Sequence, residues 1–167
     1  MNNYQIAAAI IRRGDEILLV EQQGKEDPAS AWALPGGFVE DGELLTDALA
    51  REVREETGLT VRAATRLAYI TQHDHPNQQK HPRGTVTVFI FEVDAWEGDV
   101  RIADPDGLIL QARFVPIDEA IQQLEQTLSF RMMREPIVAY LRGQAQAGTM
   151  WFYRLQENGD TILIAKL

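Results

Sequence analysis

Apolar positions along the chain follow two periods. Tyr4–Ile11 is almost continuously apolar, which predicts a strand buried on both faces. Arg13-Gly14-Asp15 reads as a turn and Glu16–Glu21 as a second strand, so the pair predicts a hairpin. Gln22–Ser30 is polar, holds Gly24 and Pro28, and predicts a loop; Trp32-Ala33-Leu34 then leads into Pro35-Gly36-Gly37. The period changes over Thr46–Thr57, where Leu45, Leu49 and Val53 recur every fourth residue and mark one face of a helix. Thr46 is a candidate cap, Asp47 suits the first turn, and Gly58 suits the left-handed stop. Thr60–Gln72 and Thr85–Val93 predict two long strands around a polar loop, His73–Gly84. Leu108–Val115 predicts a further strand. Pro116 opens an amphipathic helix with Ile117, Ala120, Ile121 and Leu124 on one side. Pro136 at a first turn and Gly143 past the end predict a short helix through Ile137–Leu141. Met150–Leu167 predicts a hairpin turning at Asn158-Gly159, with Trp151, Tyr153 and Leu155 on one face. The organisation expected is one domain over residues 1–147 with the hairpin, residues 148–167, appended to it.

The 167 residues, 45% hydrophobic and 25% charged, are enough for a single sizeable core. No apolar run approaches twenty residues, so no membrane span is expected. The start of the chain lacks the charged and apolar regions of a secretory signal. There is no cysteine, which excludes disulfides, thiolate metal sites and cysteine nucleophiles, and a cytoplasmic location is expected. A formal net charge of -9 disfavours steering of a nucleic acid polymer. A small phosphorylated substrate remains compatible if its charge is met locally, by metal ions or a few basic side chains.

The chemistry concentrates in Arg51-Glu52-Val53-Arg54-Glu55-Glu56. At about 100° per residue, Glu52, Glu55 and Glu56 fall within an arc of roughly 100° on one side of the helix. Close like charges destabilise a helix, and a bound cation reverses that effect. An all-oxygen donor set favours a hard ion, Mg²⁺ or Mn²⁺. A bare Glu-x-x-Glu-Glu string most often marks a solvated, charge-rich helix face. Its surroundings decide: Gly37-x5-Glu43-x7-Arg51-Glu52-Val53-x-Glu55-Glu56-x-Gly58-Leu59. This string resembles the signature of the Nudix hydrolase family, with every fixed position filled.

The resemblance implies an α/β fold, a Nudix α/β/α sandwich with a mixed β-sheet, and cleavage of a diphosphate bond in a nucleotide derivative such as ADP-ribose or a (deoxy)nucleoside triphosphate. It implies that Glu52, Glu55 and Glu56 hold the metal, joined by the Gly37 carbonyl, and that Glu43 and Arg51 form a supporting ion pair. Glu52 alternatively orients the attacking water. Gly36 and Gly37 let the backbone approach a ligand closely. Trp32 either stacks on a base or belongs to the core. His73 and Arg83, in the polar loop, are candidate substrate contacts. Many family members carry an acid just before the stretch resembling Arg113-Phe114-Val115-Pro116; here that stretch is Gln111-Ala112, and Asp104, Asp106 and Glu119 stay open as substitutes. Two alternatives accompany this reading. One is a non-catalytic nucleotide-binding sensor on the same fold. The other concerns assembly: Trp151, Phe152 and Tyr153 either supply a homodimer interface or cover the domain's own core.

Overall fold

In the computed structural model, residues 2–25, 28–64, 66–75, 83–156 and 160–167 are described. The elements are β1 (Asn2–Arg13), β2 (Glu16–Gln22), β3 (Ala31–Ala33), β4 (Gly36–Phe38), α1 (Leu45–Thr57), β5 (Thr60–Ala63), β6 (Arg66–His75) and β7 (Gly84–Val93). They continue as β8 (Ala95–Glu97), β9 (Ile109–Pro116), α2 (Ile117–Thr127), α3 (Arg131–Leu141), β10 (Thr149–Leu155) and β11 (Thr161–Lys166).

The central strand β1 explains the layout. Its middle is Ala7-Ala8-Ala9, all buried. Short side chains let three elements close on it. The strand β7 runs parallel along its length, from Asn2↔Gly84 to Ile11↔Val93. The short strand β4 pairs antiparallel, Ile6↔Phe38 to Ala8↔Gly36. Helix α1 packs across Ala7, Ala9 and Ile11 with Ala48, Leu49 and Val53. The sheet order is β11-β10-β6-β7-β1-β2-β3, with β4 on β1 and β9 on β2. Parallel and antiparallel pairings both occur, so the sheet is mixed. The opposite face, with Ile10, Leu19, Val88 and Ile90, is covered by α2 through Ile121 and Leu124 and by α3 through Met132 and Ile137. Helices on both faces give the expected α/β/α layering. Leu49 is 1% exposed, and truncating such a side chain to alanine costs about 2–5 kcal/mol.

Several boundaries differ from the pattern read along the sequence. The stretch from Thr60 to Gln72 holds two strands, in different sheets: β5 pairs with β8, and β6 enters the main sheet. His73–His75 continues β6, so that part of the polar loop is strand; residues 76–82 lie outside the described residues. Helix α1 begins one residue before Thr46. The N–H groups of Asp47 and Ala48 both donate to the Leu44 carbonyl, which makes Leu44 the cap, with no side-chain capping bond. Helix α3 starts at Arg131, where Met133 and Arg134 donate to the Phe130 carbonyl, so Pro136 lies inside it. Gly58 stops α1 as expected, at φ +78° with its N–H on the Arg54 carbonyl.

The C-terminal hairpin extends the main sheet. Strand β10 pairs parallel with β6, Thr149↔Tyr69 through Tyr153↔His73. Trp151 and Tyr153 are 3% and 4% exposed and belong to the core, which settles those two side chains on the core alternative rather than the interface one. The Asn158-Gly159 turn lies outside the described residues. No helix among them is long and apolar enough to cross a membrane.

Candidate active site

Three local structures build the site. The first is the glycine strand β4. Gly36 faces Ala8 so closely that a Cβ there would fall on the Ala7 carbonyl oxygen and the Ala8 Cα. Gly37 has its own constraint: a Cβ would meet the Glu52 carboxylate at 2.5 Å. The second is α1, which presents Glu52, Glu55 and Glu56 toward β4. The third is the loop after β8. Arg101 and Ala103 donate backbone N–H groups to the Thr57 and Glu55 carbonyls at 2.7 and 2.9 Å, which straps that loop to the C-terminal end of α1. Asp104 then faces the site, its carboxylate accepting the N–H groups of Asp106, Leu108 and Ile109 at 2.6–3.0 Å.

The expected Glu43–Arg51 pair forms with both forks engaged. Arg51 Nε and Nη2 donate to the two oxygens of Glu43, each at 3.0 Å. Nη2 also donates to the Phe38 carbonyl at 2.9 Å, and Nη1 to Glu52 at 2.7 Å. Glu55 lies at 3.5 Å from Nη1. Glu43 additionally accepts the Glu40 N–H at 3.0 Å. One guanidinium therefore ties the turn, the glycine strand and two of the three helix carboxylates together. These hydrogen bonds hold the Glu43 carboxyl below its usual range and raise Arg51.

Glu52 and Glu56 show the opposite tendency. Burial raises the Glu52 carboxyl, opposed by Arg51. Glu56 is 8% exposed and accepts the Gly36 N–H at 2.8 Å. Burial, with the nearby charges of Glu52, Asp104 and Glu55 acting against that hydrogen bond, pushes its carboxyl up to about 8. Like charges held together out of water describe a place that favours a cation, and every side-chain donor is an oxygen. Among the described residues no three acids converge tightly enough on one point to enclose a metal ion; Arg51 draws Glu52 and Glu55, and Gly36 holds Glu56.

These carboxylates line a cleft of about 600 Å³. Its acidic side has Glu40, Glu52, Glu55, Glu56, Asp104 and Asp106 against one cation among the described residues, Arg51. Its other side is apolar, with Ile6, Val88, Ile90, Leu124, Met132 and Ile137, together with Tyr69 and Thr71 from β6. Gly36 and Gly37 line it, as expected. Trp32 does not: it is 7% exposed, packs in the core, and carries the Arg113 guanidinium 4.8 Å from its ring centroid, so it offers no free face to a base. His73 is half-buried on β6 beside Tyr153, with Nδ1 at 3.0 Å from the Asp74 carbonyl; Arg83 is exposed just before β7. Neither lines the cleft. Of the three open acids, Asp104 and Asp106 line it, whereas Glu119 pairs with Arg113 at 3.4 Å on α2. The loop-stapling role of Asp104 was missed from sequence, although Asp104-Pro105-Asp106-Gly107 carries a turn signal. The apolar side, formed by α2, α3 and the sheet together, has no local signal.

Comparison with known proteins agrees with this geometry. The sequence profile of the NUDIX domain matches residues 3–135. The chain is 36% identical over 96 residues to an ADP-ribose pyrophosphatase of Methanocaldococcus jannaschii, covering 57% of this chain and 53% of that protein. It is 38% identical over 118 residues to the NAD-capped RNA hydrolase NudC of Escherichia coli, covering 69% of this chain and 41% of that protein. The chain thus spans about half the length, or less, of these relatives. Among solved structures, a MutT protein of Bacillus halodurans superposes with a TM-score of 0.67 at 19% identity, covering 98% of this chain and 96% of that one, a likeness of fold.

Proposed function

The chain belongs to the NUDIX domain family, and on that premise we propose that it is a divalent-metal-dependent pyrophosphohydrolase that cleaves the diphosphate bond of a nucleoside-diphosphate-linked small molecule. The observation that carries this reading is the half-buried Glu52 carboxylate against Gly37 and the buried Glu56 carboxylate on the Gly36 N–H, beside Glu55 and braced by Arg51 and Glu43. Ligand binding alone does not need an activated water, so retention of all three helix carboxylates weighs against the sensor alternative.

In this reading Glu52, Glu55 and Glu56, with the Gly37 carbonyl, hold Mg²⁺ or Mn²⁺. When bound, such an ion offsets phosphoryl charge and makes a water nucleophilic near neutral pH. The protein's own residues do the positioning. Arg51 keeps Glu52 and Glu55 oriented through its Nη1. Gly36 fixes Glu56 through its N–H. Asp104 holds the loop that closes the acidic side; its oxygens already accept three N–H groups, which leaves the exposed, cleft-facing Asp106 freer to reach a water. An ADP-ribose-like compound is the favoured substrate over a nucleoside triphosphate. The relative from M. jannaschii is named for that activity, and a cleft with one cation among its described lining residues suits the smaller charge of a bridging diphosphate. The test is a hydrolysis screen with and without Mg²⁺ over ADP-ribose, NADH, dinucleoside polyphosphates, (deoxy)nucleoside triphosphates and NAD-capped RNA. Metal-dependent cleavage at the diphosphate supports the reading. Tight nucleotide binding without cleavage of any of them refutes it in favour of the sensor.

A further inference from the structure

A second cavity, of about 460 Å³, is bounded by α3 and the C-terminal hairpin. Helix α3 serves both cavities from different faces. Met132, Met133 and Ile137 line the acidic cleft, whereas Arg131, Arg134, Glu135, Val138 and Arg142 line the second cavity. At about 100° per residue these five fall within an arc of roughly 100°, one stripe of the helix. Strands β10 and β11 add Trp151 and Lys166, which are register partners, and α2 adds Glu125. Both acids are already engaged. Glu125 accepts Arg142 at 2.9 and 3.1 Å, and Glu135 accepts Arg131 at 2.8 Å and the Tyr153 hydroxyl at 3.0 Å. The other two cations meet carbonyl oxygens instead. Arg134, half-buried, donates to Leu128 at 2.8 Å, and Lys166 Nζ lies 3.4 Å from the Gln144 carbonyl and 4.2 Å from the Trp151 ring centroid. The cavity therefore holds two cations more than acids, in a chain of net charge -9. A third group adds to them. Trp151 is 3% exposed, and its Nε1–H is buried with no partner among the described residues. A buried donor without a partner destabilises a fold, and a bound acceptor relieves it.

We propose that this cavity is a second, non-catalytic site, in which Arg134, Lys166 and the Trp151 indole N–H hold the phosphate group of a small ligand. The chemistry of the three groups identifies that class. Guanidinium, ammonium and indole N–H only donate, so their partner is an acceptor on several sides. Two of the three carry charge, so the partner is an anion, and a phosphate group offers both the charge and the oxygens. The acidic cleft cannot take such a group without a metal, because its carboxylates repel it. Trp151 and Lys166 lie beyond residues 3–135, so the site is built partly outside the matched NUDIX stretch. It is independent of whether the cleft hydrolyses a diphosphate.

The test titrates the metal-free protein, with chelator present, with inorganic phosphate and with methyl phosphate, at an ionic strength held constant with chloride. The readout is the Trp151 indole N–H resonance, assigned through Trp151→Phe. It should move downfield and saturate, with a Kd of about 1 mM or tighter. Lys166 is exposed, so Lys166→Gln should melt with the parent while weakening binding roughly tenfold, and Lys166→Arg should restore it. Arg134→Gln should weaken binding as much; because Arg134 also holds the Leu128 carbonyl, Lys166→Gln decides if that variant melts lower. Equal affinity for the two anions supports a site for the phosphate group itself, and tighter binding of methyl phosphate supports a site for its esters. A resonance that stays still up to about 50 mM of both anions, or an affinity unchanged in Lys166→Gln, would overturn the proposal.

Discussion

Gly37→Ala separates the chemistry of the site from the stability of the fold. The added Cβ would stand 2.5 Å from the Glu52 Cδ and Oε1, whereas ordinary contact begins near 3.4 Å, so the carboxylate must recede by about 0.9 Å (3.4 less 2.5). The obstructing atoms end a flexible side chain, so they can yield without moving backbone. A displacement near 1 Å at a reacting centre costs roughly 10²-fold in rate, about 2.7 kcal/mol of transition-state stabilisation. Gly36→Ala is the matched control. Its Cβ would fall on backbone atoms of Ala7 and Ala8 in the central strand, which cannot yield without breaking the β1–β4 pairing. The assay is initial-rate hydrolysis of ADP-ribose under saturating Mg²⁺, paired with thermal melting. Gly37→Ala should lose about 10²-fold in kcat/KM and melt within a few degrees of the parent; Gly36→Ala should melt well below both. A Gly37→Ala variant with activity within about twofold of the parent, or one as unstable as Gly36→Ala, would refute the placement of Glu52 against Gly37 as the basis of activity.

Three further outcomes follow from the same geometry. Glu56 binds its proton more tightly in the folded chain than when unfolded, so the metal-free protein should lose stability as pH rises from about 4.5 to about 8. Thermal melts of the parent and Glu56→Gln across that range should converge at low pH, with the variant more stable at high pH; parallel curves would exclude a buried, strained carboxyl. Arg51→Lys keeps the charge but loses the fork that grips Glu43 and the Phe38 carbonyl, so denaturant unfolding should show a loss of about 1–2 kcal/mol, with activity falling as well. Gly58→Ala would put a Cβ on the Arg101 carbonyl oxygen at a left-handed residue, and chemical denaturation should report a loss of at least about 1 kcal/mol.

What the sequence revealed depended on how local each feature is. The brace and the carboxylate arc were legible because a helix converts spacing into direction: Arg51, Glu52, Glu55 and Glu56 occupy one helix, and Glu43 lies a turn before it. The stop at Gly58 was legible for the same reason. The start was not, because Glu43, which closes the turn onto the Glu40 N–H and grips Arg51, delivers the chain into the helix at Leu44, ahead of the better capping residue Thr46. The split of Thr60–Gln72 was hidden because β5 and β6 carry similar residues and differ only in partners distant in sequence. Trp32 stayed open between a base and the core because an aromatic before a glycine turn suits either, and only Arg113 and the sheet decide for the core. The apolar wall with Thr71 was invisible for a similar reason: it exists only once β6, α2 and α3 are assembled.

The most direct test of the whole account is product identification after incubation of the purified protein with ADP-ribose, with Mg²⁺ or with excess chelator, for the parent and Glu56→Gln. The account predicts AMP and ribose 5-phosphate from the parent with metal only, and almost none from Glu56→Gln although it remains folded. Equal turnover by the two proteins, or turnover undiminished by the chelator, would contradict the assignment of the Glu52, Glu55 and Glu56 carboxylates beside Gly36 and Gly37 as the site of a metal-dependent hydrolase.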